Sequence, residues 1–239
     1  MFGLGTIINT AAILLGGLCG RIFGRFLTES AQDTLTKVCG VSTLFIALSG
    51  ALEGMLRIEN GQIVSQGGML VIICLAIGGF IGELLKIEDG FEQFGAWLKI
   101  KSGNAKDKGF VDAFVTASLT VCIGAMAIVG SIQDGILGDY SILATKAVLD
   151  LIIITVMTCS MGRGCVFSAI PVAMFQGSIT VLAGFLRPVM TDGALANLSL
   201  VGNVLIFCVG VNLVWGKKIK VANLLPGIFC AVIAAFLPI

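Results

Sequence analysis

The chain has 239 residues, 57% of them hydrophobic and only 12% charged, with a net charge of +1. A soluble domain carries about a quarter charged residues, so this is read as an integral membrane protein; with no basic run, nucleic acid is excluded as a partner. The lack of histidine removes Ser-His-Asp and Cys-His nucleophiles, His-ligated metals and histidine proton relays, and no G-x-x-x-x-G-K-[ST] loop is present to hold ATP.

A spanning helix needs about 20 mostly apolar residues. Windows of that length predict eight spans, at about 3–24, 36–55, 68–86, 110–131, 142–161, 164–186, 196–215 and 220–238, in one membrane domain covering 1–239. The fold class expected is therefore an all-α integral membrane protein of eight transmembrane helices, some of them broken. The N-terminus lacks the basic region of a removable signal peptide. Span 1 carries Gly16, Gly20 and Gly24 at intervals of four, and span 3 carries Gly78 and Gly82. Small residues at that spacing let helix backbones approach closely. They predict internal packing, with a homodimer through the same glycine-rich faces as the second use.

Glu53 and Glu83 end spans 2 and 3 and are expected at the interface. After span 3, Ile87, Phe91, Phe94 and Leu98 fall at helical spacing, with Glu88, Asp89, Glu92 and Lys99 on other faces. This predicts a cytoplasmic amphipathic segment over 87–108. Its helix continues from span 3 along the membrane surface, with Trp97 at headgroup level, and Lys99–Lys108 is a polar linker. Eight cysteines occur singly, without C-x-x-C, and read as small packing residues. No disulfide, metal or cofactor is expected.

Span 4 ends in Gly130-Ser131-Ile132-Gln133-Asp134-Gly135, and span 6 contains Gln176-Gly177-Ser178-Ile179 five residues after Pro171. Glycine, proline and amides burden a membrane helix, because freed backbone groups find no water in hydrocarbon unless they are buried in protein or line a wet cavity. Helix breaks are therefore predicted at Gly130 and Gly177. Ser131-x-x-Asp134 fits a capping box, and Ser178 is placed to cap a second half-helix, whose N-terminus would suit an anionic group. Asp112 is expected to cap span 4. Span 5 places Lys146 and Asp150 at i,i+4, on one helix face. They read as a neutralised pair or a Lys146 that snorkels to the external surface, or else as an ion or proton site that uses Asp150. Asn9, Asn203, Asn212 and Asn223 are further intramembrane amides. Pro226 suits a break, or the first turn of a late-starting helix.

Charge placement orients the chain. With an external N-terminus, twelve of its fifteen Lys and Arg fall on the cytoplasmic side, Arg57 and Arg187 fall outside, and Lys146 is intramembrane. The positive-inside rule then predicts both termini external. Laying 3–27 on 162–186 matches Gly3 with Gly162 and Gly5 with Gly164, and a similar offset matches Gly40 with Gly202. Spans 1–3 and 6–8 thus read as an inverted repeat of the kind secondary transporters use.

The strings Phe110-Val111, Ala117-Ser118-Leu119, Gly124 to Gly135, Gly138-Asp139, Lys146 with Leu149-Asp150, Phe167 to Ile170, Gln176-Gly177 and Val221 to Pro226 resemble the bacterial multi-span membrane proteins of the domain of unknown function 554 family. The stretch Phe110–Ser118 departs from the family pattern by a small insertion. The resemblance implies a bacterial inner-membrane location and supplies no substrate.

The function expected is a secondary transporter or channel for a small polar solute or ion, not an enzyme, with its site between spans 4, 5 and 6. Gly130, Ser131, Gln133, Asp134, Ser168, Gln176, Gly177 and Ser178 are the expected solute contacts, and Lys146 and Asp150 the ion-coupling pair. The alternative is a non-transporting sensor or accessory subunit working through the cytoplasmic amphipathic helix. A lipid enzyme is the remote third reading.

Overall fold

The computed structural model describes residues 3–237. Its helices follow the apolar windows, since a helix satisfies every backbone group within its own segment, as hydrocarbon requires. In chain order they are α1 (Leu4–Gly24), α2 (Glu29–Met55), α3 (Gly68–Leu85), α4 (Ile87–Lys101), α5 (Phe110–Cys122), α6 (Ala125–Leu137) and α7 (Ser141–Met161). A 3₁₀ turn (Arg163–Ser168) then leads into α8 (Ala169–Val181), followed by α9 (Ala183–Leu186), α10 (Asp192–Trp215), α11 (Val221–Leu224) and α12 (Pro226–Ala234). Six of these, α1, α2, α3, α7, Arg163–Val181 and α10, are long and apolar enough to cross a membrane. The bent pair α5–α6 makes a seventh if counted as one span, and Val221–Ala234 is a shorter apolar helix. Residue 238, the last of the expected eighth span, lies outside the described residues. Pro226 sits at the start of α12, where its missing N–H costs little.

Between α2 and α3 lies a hairpin that the span windows did not foresee. Strand β1 (Leu56–Glu59) pairs antiparallel with β2 (Gln62–Ser65), Glu59 opposite Gln62. Asn60 and Gly61, at φ 51° and 79°, supply the two positive-φ positions that a tight hairpin turn requires.

By its internal contacts the chain forms two compact units interleaved in sequence. The first comprises 1–39, 89–122 and 126–186, the second 40–88, 123–125 and 187–239.

In the first unit α1 runs parallel to α7. A Cβ on Gly16 would meet the Leu151 carbonyl oxygen at 2.6 Å, one on Gly20 the Thr155 carbonyl oxygen at 2.5 Å, and one on Gly24 the Cys159 Cα at 3.2 Å. The 3₁₀ turn and α8 run antiparallel to α1: Val166 packs on Gly17, and Thr6 reaches Thr180 at 3.5 Å between hydroxyl oxygens. In the second unit α10 lies antiparallel along α2, with Val214 at Gly40, Asn203 at Gly50 and Leu200 at Gly54. There α12 lies antiparallel to α3, where Gly78 meets Gly227 and Cys74 shares a buried cluster with Val201 and Ala231. Both glycine series are thus covered inside their own units. Large apolar side chains such as Phe45, Phe80 and Phe229 are exposed, as lipid-facing residues are.

Helix α4 departs from the expected continuation of span 3. Lys86, at φ 52° and ψ 47°, closes α3 in the left-handed conformation before α4 begins. Its apolar face is partly consumed by protein: Phe94 meets Phe114 edge-on at 5.8 Å, and Leu98 is buried while Trp97 stays exposed.

Candidate functional site

The first unit encloses a group of polar side chains at membrane depth. The helix break expected in span 4 is present, but it lies at Gly124 rather than at Gly130. α5 stops at Cys122, Gly124 takes φ 155°, and α6 leaves at 62° to α5. The last carbonyls of a helix have no intrahelical donor. Here the Val121 carbonyl accepts a hydrogen bond from the Lys146 ammonium at 2.8 Å. That ammonium also binds the Asp150 carboxylate, and both residues are buried. The pair is therefore neutralised within α7, as expected, with its cation set against the negative end of a half-helix.

Gly130 and Ser131 lie within α6, and the break and capping box expected there are corrected. Ser131 is fully buried with no hydrogen-bond partner among the described residues. Asp134 is also fully buried. Its Oδ2 accepts from the Gly5 amide, in the first turn of α1, at 2.9 Å, so it serves α1 instead of its own helix. Carboxylates are stabilised at that end of a helix. Its Oδ1 has no partner among the described residues.

In α8 the expected break at Gly177 is likewise absent, because α8 runs unbroken through it and space is open around it. The irregular part of span 6 is the 3₁₀ turn before α8. Ser168 is buried there and donates to the Cys165 carbonyl at 2.7 Å. Ser178 is exposed and donates to the Phe175 carbonyl at 2.8 Å, so it caps nothing. Gln133 is half-buried and Asp112 exposed. Gln176 is fully buried, with both amide atoms unpartnered among the described residues.

The residue that sequence reading undervalued is Asn9, named only as one more amide. It is fully buried in α1 with its amide against the Asp150 carboxylate, a contact that falls short of full hydrogen-bond geometry, and it has no other partner among the described residues. The α1–α8 register, Thr6 at Thr180 and Gly17 at Val166, brings Asn9 level with Gln176. The signal available was its depth, about one and a half turns into span 1, where a lone amide is costly.

The buried polar side chains of the first unit thus include Asn9, Ser131, Asp134, Ser168, Gln176 and the Lys146–Asp150 pair, while Gln133 is half-buried and Ser178 exposed. Gly130 serves this unit through packing, since a Cβ there would meet Leu143 at 2.9 Å. Burying a polar group without a hydrogen bond costs roughly 2–7 kcal/mol. Two amides, a hydroxyl and a carboxylate oxygen close no hydrogen bond of full geometry among the described residues. Outside the spans, Asp139 accepts from the Ser141 hydroxyl at 2.6 Å and its amide at 3.0 Å. These bonds, the hydroxyl's foremost, hold its carboxyl below the usual range and fix the entry to α7.

The chain is 28% identical over 232 residues to the uncharacterized membrane protein YdfK of Bacillus subtilis (strain 168), covering 97% of this chain and 95% of that one. It is 25% identical over 232 residues to the uncharacterized protein YqgA of Escherichia coli (strain K12), covering 95% and 94%. No solved structure matches it. The model of the family described as "Protein of unknown function (DUF554)" matches residues 4–236, and the chain belongs to that family.

Proposed function

We propose that the protein is a secondary transporter or channel for a small polar solute or ion, bound in the first unit among Asn9, Ser131, Asp134 and Gln176, with Lys146 and Asp150 as the coupling pair. The observation that carries this reading is the set of fully buried polar atoms without partners among the described residues, in the unit where Lys146 meets the end of the broken α5. Transporter sites are built in this way, at unwound segments near the bilayer midplane. Charged groups at membrane depth mark such paths.

We also propose eight spans with both termini external in a bacterial inner membrane, counting α5–α6 and α11–α12 as one span each. The helix directions support this count. α1 parallel to α7, and α1 antiparallel to α8, are the senses that spans 1, 5 and 6 must have; α2 against α10 and α3 against α12 fit spans 2 and 7, and 3 and 8. The inverted repeat draws support from the same pairs, because each of spans 1–3 packs antiparallel on its counterpart among spans 6–8. Gly3 and Gly162, matched in sequence, both take positive φ just before their helices.

The accessory-subunit reading is weaker, since the α4 apolar face on which it depends is partly buried against α5. Uptake by proteoliposomes across a panel of amino acids, small carboxylates, sugars and alkali cations tests the proposal. One flux should fall at least tenfold in Gln176→Ala and in Asp150→Asn. Indifference of every flux to both substitutions would remove the assigned site.

A further inference from the structure

The far end of α1 carries a second site. Because α1 and α7 are parallel, both end together, and a cleft of about 260 Å³ opens there, lined by Gly20, Gly24, Gly162, Thr158 and three arginines, Arg21, Arg25 and Arg163. Water occupies roughly 30 Å³ in the liquid, so the cleft admits a multi-atom ligand. The arginines come from three places: the last turn of α1, the residue that ends it, and the opening of the 3₁₀ turn. None makes a side-chain hydrogen bond or ion pair among the described residues, whereas Asp33 nearby is taken by Lys37 at 2.6 Å.

Positive-inside placement explains cations at this end, but not their convergence on one cleft. Two helix C-termini contribute about −0.5 charge each, and the Asp107 carboxylate, 3.9 Å from where a Cβ on Gly162 would stand, adds one more negative charge. Three guanidinium groups leave an excess of about one positive charge, enough for one anion. Thr158 also lines the cleft and is only 4% exposed. Its hydroxyl closes no hydrogen bond of full geometry among the described residues, and its nearest polar neighbour is the Cys165 thiol, which itself donates to the Ala113 carbonyl at 3.6 Å.

We propose that this cleft binds a phosphate-bearing anion, with Arg21, Arg25 and Arg163 as its guanidinium donors and Thr158 donating a hydroxyl hydrogen bond. Guanidinium forks match phosphate oxygens in pairs. A phospholipid headgroup and a free phosphate share this chemistry. The site stands whether or not the first unit transports a solute, and its test reads no flux.

The full chain in phosphatidylcholine nanodiscs is titrated with inorganic phosphate against chloride of matched ionic strength, reading the melting temperature. In a second arm, phosphatidylglycerol is added to the discs and its retention is read by native mass spectrometry. Saturable stabilisation by phosphate in the first arm identifies a free anion, and retention confined to the second identifies a headgroup. Either affinity should fall at least tenfold in R21Q/R25Q/R163Q, recover in part in R21K/R25K/R163K, and fall severalfold in Thr158→Val. Equal affinities in wild type, Thr158→Val and the glutamine triple would overturn the proposal. Should the triple not fold, unchanged affinities in Thr158→Val and in single Arg163→Gln would overturn it as well.

Discussion

Two buried polar networks use similar residues to opposite ends. In the second unit Glu88 is 3% exposed, contrary to the solvent-facing position that helical spacing assigned it, and each of its groups is matched. Its Oε2 accepts from the Ala222 amide at 2.9 Å, at the start of α11, its Oε1 meets the Lys217 ammonium at 2.9 Å, and its own amide donates to Asn223 Oδ1 at 2.7 Å. Asn223 in turn donates to Glu83 at 2.6 Å, which pairs with Lys220 at 2.9 Å. In the first unit Asn9 and Gln176 are as deeply buried, and neither closes a hydrogen bond of full geometry among the described residues. A satisfied network fixes a structure, and a network left open costs stability. The same residue type is therefore locked by its partners at Asn223 and left open at Asn9.

The largest effect on stability is expected where a satisfied charge is cut. Glu88→Ala removes the acceptor of the Ala222 amide and one partner of the Lys217 ammonium. It should cost about 3 kcal/mol, the lower end for breaking a buried pair because Lys217 is half-exposed, and transport by properly folded protein should persist. Asp150→Ala strands the buried Lys146 ammonium and should cost a similar ~3 kcal/mol. The double replacement Lys146→Met/Asp150→Leu should recover most of that loss, since apolar residues of like volume often replace a buried pair without penalty, while flux stays abolished. Chemical-denaturation midpoints in detergent check both, and equal single and double losses would mean that the pair is not coupled.

A smaller effect distinguishes the two kinds of helix irregularity. Gly177 sits in an unbroken helix with open space around it, so Gly177→Ala should raise stability by about 0.5–1 kcal/mol through helix propensity. Gly124→Ala should lower it, because φ 155° disfavours a side chain. Thermal melts of the two variants should therefore move in opposite directions.

Much of this contrast was hidden from sequence for a physical reason. Apolar length located the helices, because hydrocarbon leaves the backbone no alternative, and i,i+4 spacing paired Lys146 with Asp150. The position of the α5–α6 break was missed because Gly130-Ser131 has breaking composition, yet its backbone groups stay satisfied in helix, while Gly124 acts alone through one dihedral. The Asn60-Gly61 turn was legible but lay outside the apolar windows. Glu88 was unreadable in principle: its donor partner at Ala222 and its acceptor partner at Asn223 are more than 130 residues away, and helical periodicity knows nothing of them. Arg21, Arg25 and Arg163 were visible only as a sum of charges.

The smallest change in stability carries the most information. Gln176→Leu removes an amide with no partner among the described residues, and Asn9→Leu one whose only polar neighbour is Asp150, already held by Lys146, so little is stranded and the desolvation cost disappears with the group. Each should stay within about 1 kcal/mol of wild type or rise above it, whereas Asn223→Leu, of nearly the same shape change, should lose about 1–3 kcal/mol by orphaning the Glu88 amide and a Glu83 oxygen. Flux should follow the reverse order, lost in the two stable variants and kept in folded Asn223→Leu. Melting temperatures and uptake measured on the same preparations decide it. If Asn9→Leu and Gln176→Leu destabilise as strongly as Asn223→Leu, their amides are structural groups of the same kind, and the distinction between the two networks collapses.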